Sequence, residues 1–250
     1  MRTLKAVIKS AMSPRQLEVF RRGRDGLKSL RHARELPRYA VRYGTDKINQ
    51  FHTFNGLSYI DLYTSYLSRF RKKHINLLEI GVLNGASLRM WKHFFKRSRI
   101  YGLDINPQAR QHEESRVEIW IGSQADKGLL MQLSEDAGGF DIVIDDGSHV
   151  NRHIVASFNA LFDSMRPGGV YVIEDLHCSY LRLDEVHEGT KIGVRELWPG
   201  MALNSETESL NNERSEIDLF FNALIHNMDN GERRIKSVHF WANICFIEKV

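Results

Sequence analysis

The chain has little cysteine. Cys178 and Cys245 are the only two in 250 residues, and they stand far apart without C-x-x-C spacing. That argues against a disulfide framework and makes a reducing compartment the expected one. No apolar run approaches the ~20 residues a membrane-spanning helix needs. The opening MRTLKAVIKSAMS carries scattered lysines but no apolar h-region, so it does not read as a secretory signal. Repeats and low-complexity tracts are absent as well. A soluble, cytoplasmic protein is the expectation. At 42% hydrophobic residues there is enough apolar material for a real core, and 250 residues fit one large α/β domain or a domain with an appendage.

Charge is unevenly spread. Residues 1–50 hold 13 Lys+Arg against 4 Asp+Glu, while the remaining 200 hold 22 against 27. The net charge of +4 therefore comes from a basic arm on a mildly acidic body. Such an arm can meet nucleic acid or an anionic membrane surface. It can equally pack on the body or on a second subunit, and Leu17, Phe20, Leu27, Leu30 and Leu36 offer apolar anchors at near-helical spacing. A helical arm over 1–42 and a main domain over 43–250 follow.

From residue 75 the pattern alternates. INLLEIGV, IYGLDI, VEIWIG, FDIVID and VYVIED read as short buried strands, separated by helices such as SLRMWKHFF, DKGLLMQLSED and NRHIVASFNALFDSM. Continuous apolar strands alternating with helices predict a parallel sheet covered on both faces, the Rossmann-like α/β class. The closing IKSVHFWANICFIEKV reads as two strands joined by a tight turn near Ala242-Asn243. In this, a terminal antiparallel hairpin on a parallel sheet, the pattern resembles the seven-stranded methyltransferase sheet. Residues 181–215 lack a clear period and read as an insertion or lid.

Two ends of strands carry the chemistry. LLEIGVLNGASLRMW places Glu79, Gly81, Gly85 and Ser87 at a strand-to-helix turn. Glycines there let the backbone approach a ligand, and the helix that follows points its positive end at it. The spacing is not the G-x-G-x-x-G of a dinucleotide site. Asp104 ends the next strand, where a carboxylate can accept ribose hydroxyls. Gln124 and Asp126 follow the third strand, in reach of an adenine or an amino group. Together these suit S-adenosylmethionine.

Asp145-Asp146 end the fourth strand and Glu174-Asp175 the fifth. Acids brought together repel unless a cation or a proton sits among them. Oxygen ligands favour a hard ion such as Mg²⁺ or Ca²⁺. A sulfonium methyl is already activated, so the remaining task is to make the acceptor nucleophilic. His149, three residues past the first acid pair, is the candidate general base.

The ordered motifs GTDK (44–47), LLEIGVLNGASLRMW, IYGLDINP, GSQAD, FDIVIDDGSHV and GGVYVIEDLHCSY resemble those of metal-dependent sugar O-methyltransferases of the mycinamicin, demethylmacrocin and rhamnosyl type. The resemblance runs from about residue 43 to the end. It implies that Asp146, Glu174 and Asp175 hold Mg²⁺ and that His149 is the base. Glu79, Gly81, Ser87, Asp104 and Gln124 would line the cofactor, with Asp145 close to it. It also implies a sugar-bearing small molecule or glycolipid as acceptor, and a homo-oligomer. Cys178 departs from the threonine-like residue that relatives carry after IEDLH. Two other readings stay open here: a catechol or other vicinal diol as acceptor, and a non-catalytic cofactor-binding module that docks by its arm. Nucleic acid is not expected as a partner, whereas a peripheral membrane contact of the arm is left open.

Overall fold

The computed structural model describes residues 35–48, 53–54, 56–180, 212 and 214–250. Most of the expected arm and residues 181–211 of the expected insertion lie outside the described residues. The chain divides into two units, 1–69 and 70–250.

In the first unit, helix α1 (Glu35–Tyr43) buries Leu36 and Ala40. Thr45 and Lys47 of the GTDK motif are also buried. Two-residue strands, Thr53–Phe54 and Leu57–Ser58, pair antiparallel before helix α2 (Tyr59–Leu67). A capping box starts α2. The Asp61 N–H donates to Ser58 Oγ at 3.2 Å and the Ser58 N–H donates to Asp61 Oδ2 at 2.9 Å, which satisfies two otherwise orphaned donors.

The second unit is built on seven strands: β1 (Ile75–Ile80), β2 (Ser98–Asp104), β3 (Val117–Ile121), β4 (Ile142–Asp145), β5 (Val170–Ile173), β6 (Ile235–Trp241) and β7 (Ile244–Lys249). Their order is β3-β2-β1-β4-β5-β7-β6. The first five run parallel, and β7 joins β5 and β6 antiparallel. The hairpin turns at Ala242-Asn243, with Asn243 at φ 64°. β1 is buried along its whole length, as a central strand covered on both faces must be.

Alternation along β1 divides the layers. Leu78 and Ile80 join the core made with helices α4 (Lys127–Ala137), α5 (Asn151–Leu161) and α6 (Arg214–Asp229). Glu79 points the other way, to helix α3 (Ala86–Phe94), whose Trp91 indole donates to its Oε2 at 3.2 Å. α6 was not expected, yet Ile217, Phe220, Phe221 and Leu224 bury one helical face. Phe220 meets Phe158 of α5 edge-on at 4.9 Å, and Phe221 meets Phe240 of β6 at 4.7 Å. Among the described residues no helix is long and apolar enough to cross a membrane.

Candidate active site

Register sets the site. Ile80 pairs with Leu103 on one side and Asp145 on the other, and Asp145 pairs with Ile173. The carboxyl ends of β2, β1, β4 and β5 are therefore level. β1 lies between β2 and β4, where the strand order reverses, and open α/β sheets bind ligands at such a point.

The glycine loop after β1 is held by Asp104. Its Oδ2 accepts the Val82 N–H at 2.8 Å and the Leu83 N–H at 3.3 Å, and its Oδ1 accepts the Asn106 N–H at 2.8 Å. A cleft of about 190 Å³ beside it is lined by Leu83, Asp104, Asn106 and Gln108. Gly85 caps α3 at φ 68°, and a side chain there would collide with the His112 ring. Gly81, at φ 90°, is tighter still. A methyl on its Cα would sit 2.0 Å from the Asp146 carbonyl oxygen. The glycine loop and the second acid of DDGSH are thus in backbone contact.

The adjacent acids face opposite ways. Asp145 is buried, accepting from Gln124 Nε2 at 2.9 Å, Ser157 Oγ at 2.5 Å and the Tyr171 hydroxyl at 3.1 Å. Burial pushes its carboxyl above the usual 3.8, and those three hydrogen bonds and the charge of His149 partly counter the rise. The same burial, with the Asp145 charge, pushes the Tyr171 phenol well up. Gln124 also accepts the Ser148 N–H at 2.6 Å, so its amide ties the DDGSH turn to β4. Gly147 has no side chain to obstruct that amide, since a methyl there would meet Gln124 Oε1.

Asp146 instead joins His149 and Asp175. One ligand atom from each lies within 4.8 Å of the other two; Asp175 is buried and the others half-buried. The two carboxylates are oxygen donors of the kind a hard divalent cation takes, whereas the imidazole nitrogen is not. His149 and Asp175 adopt left-handed backbone, at φ 55° and 53°. Behind them Cys178 is buried, and burial together with the charges of Asp175 and Asp146 pushes its thiol well up.

Not every expected residue meets this group. Glu174 is 1% exposed and its N–H donates to the Asp145 carbonyl at 3.0 Å, but its carboxylate is outside the three-residue group. Glu79 is fully buried under α3 and Ser87 is buried in that helix's first turn. Asp126 is exposed and caps α4, accepting the Leu129 N–H at 3.0 Å. Ser157, Tyr171 and Asn212, which sequence reasoning missed, hold the site from behind. A buried Ser or Tyr hydroxyl needs a partner, and that is the signal the first two offered.

A seven-stranded sheet of this order, with a glycine loop at its carboxyl edge, is a methyltransferase-like fold. Residues 78–176 match the family described as a methyltransferase domain. Within the class, the chain is similar to sugar O-methyltransferases. It is 36% identical over 233 residues to demethylmacrocin O-methyltransferase of Streptomyces fradiae, covering 86% of this chain and 53% of that protein. With mycinamicin VI 2''-O-methyltransferase of Micromonospora griseorubida it shares 34% over 232 residues, 86% of this chain and 52% of the relative. Among solved structures, MycE methyltransferase from the mycinamycin pathway, in complex with Mg, SAH and mycinamycin VI, superposes with TM-score 0.67 at 34% identity. That match covers 86% of this chain and 54% of MycE. The chain spans about half the length of these relatives.

Proposed function

We propose that this chain transfers a methyl group from S-adenosylmethionine to a hydroxyl of a sugar, with a divalent cation, Mg²⁺ first among candidates, at Asp146 and Asp175. The contact between Gly81 and the Asp146 carbonyl carries the reading, because it joins a cofactor loop to an acidic group fit for a cation. The relatives' activities on sugar-bearing natural products support it.

When bound, the cation supplies Lewis acidity that makes an acceptor hydroxyl more acidic. The chain's own residues do the rest. The loop 81–85, tied down by Asp104, presents backbone to the cofactor, and α3 directs its positive end there. Asp146 and Asp175 fix the acceptor's place at the sheet edge. His149 takes the proton at its ring nitrogen. Mg²⁺ prefers oxygen ligands, so in this reading the imidazole stays free to act as base, and Glu174 becomes a third oxygen ligand by turning its carboxylate from its place outside the group. A cytoplasmic, homo-oligomeric enzyme is part of the same proposal.

The test is incubation of the full chain with S-adenosylmethionine, Mg²⁺ and a panel of glycosides and catechols, read by mass spectrometry. Gain of one methyl on a glycoside is expected. Methylation of catechols alone overturns the sugar reading.

A further inference from the structure

Helix α5 starts at Asn151 without a side-chain cap of its own, because the residue before it is Val150. The first four N–H groups of a helix need partners. Here the Asn151 N–H donates to Oδ1 of Asn212 at 2.9 Å, across 61 positions of sequence. The Asn212 side chain does more than cap. Its Nδ2 donates to the His149 carbonyl at 2.8 Å and to the Cys178 carbonyl at 2.9 Å. The Cys178 N–H in turn donates to the Asp175 carbonyl at 2.9 Å. Asn212 is 3% exposed, and an amide has two N–H donors, both of them used here.

One buried amide therefore bridges the turn that carries His149 and the turn that carries Asp175. Those are the two group members with left-handed backbone. A residue in that backbone region persists only where its surroundings hold it there. Asn212 holds the first directly by its carbonyl and the second through Cys178.

We propose that Asn212 is a positioning residue for this group: its amide holds the Asp175 turn through Cys178, and so the fit of the ion, and holds the turn of the base His149 in place beside it. This rests on reading that group as a divalent-cation site. A group acting only as a helix cap would affect folding but not ion affinity. A group acting as proposed affects ion affinity in the folded protein, typically by about 10- to 100-fold when an outer partner of a metal site is lost.

The experiment uses the full chain and Mn²⁺ alone, with free ion measured by electron paramagnetic resonance, for wild type, Asn212→Ala and Asn212→Asp. Binding weaker by about 10- to 100-fold is expected in both variants, with affinity for S-adenosylhomocysteine within about twofold of wild type. The aspartate variant is decisive, because its added negative charge alone would tighten cation binding, whereas loss of both donors loosens it. In wild type, the Asn151 amide should resist hydrogen exchange. Wild-type Mn²⁺ affinity in either folded variant overturns the role of Asn212, as does an Asn151 amide that exchanges like a free helix terminus. If the wild type itself binds no Mn²⁺, the cation-site reading fails and this inference fails with it.

Discussion

His149 and Asp175 meet with their ligand atoms within 4.8 Å, and both hold left-handed backbone, at φ 55° and 53°. Such conformations cost non-glycine residues about 1–3 kcal/mol each. They are tolerated where side-chain placement matters more than local ease. His149→Gly should therefore unfold at higher temperature than His149→Ala, by the equivalent of about 1 kcal/mol. Both should lose turnover by about 10²- to 10⁴-fold while binding S-adenosylmethionine within about twofold of wild type. Thermal melts and single-turnover assays check the two halves.

Gly81→Ala should damage the cofactor loop and the acid group together. The added methyl falls on the Asp146 carbonyl and the backbone is at φ 90°, so strain alone costs about 1–3 kcal/mol. Calorimetry should show weaker binding of both S-adenosylhomocysteine and Mg²⁺. Asp104→Ala, by contrast, frees the Val82, Leu83 and Asn106 N–H groups and leaves the acid group untouched. Its effect should fall on the cofactor, about tenfold or more, and leave Mg²⁺ affinity unchanged.

Ser157→Ala probes the buried Asp145. Burial raises the Asp145 carboxyl above 3.8, and the Ser157 hydrogen bond opposes that rise. A raised folded-state value means that the folded protein binds more protons than the unfolded chain between 3.8 and that value. Stability therefore falls as pH rises through this window. Removing Ser157 raises the carboxyl further, so the fall should extend to higher pH. The variant should lose about 1–3 kcal/mol near neutral pH, measured by denaturant titration at several pH values.

Glu174→Gln and His149→Ala separate ligand from base. On the present reading, the first weakens Mg²⁺ binding by about tenfold or more. The second leaves Mg²⁺ binding near wild type and removes turnover. The reverse pattern would make His149 a ligand.

The architecture was legible where periodicity carries it. Five buried strands, their helices and the terminal hairpin at Ala242-Asn243 stand where their patterns put them. Parallel pairing levels the ends of β4 and β5 and brings Asp146 and Asp175 together, but the group they form takes in His149 and leaves out the carboxylate of Glu174, which the sequence had put among the ligands. Helix α6 carried a readable 3–4 spacing but followed an aperiodic stretch that obscured its start. Polar roles were not legible. Gln124 looked like a ligand-facing loop residue, yet it binds Asp145 and Ser148. Asp126 is a helix cap. Asn212 acts on residues 61 to 63 positions away or on Cys178 34 away. Side-chain hydrogen bonds across such separations depend on tertiary placement, and no local pattern encodes them.

The central claim is that Asp146 and Asp175 hold the cation beside the cofactor loop. Isothermal titration of Mg²⁺ into the full chain saturated with S-adenosylhomocysteine tests it most directly, for wild type, Asp146→Asn and Asp175→Asn. One ion per chain is expected in wild type, with at least about tenfold weaker binding in each variant. Wild-type affinity in both variants, or no Mg²⁺ binding by the wild type, would contradict it.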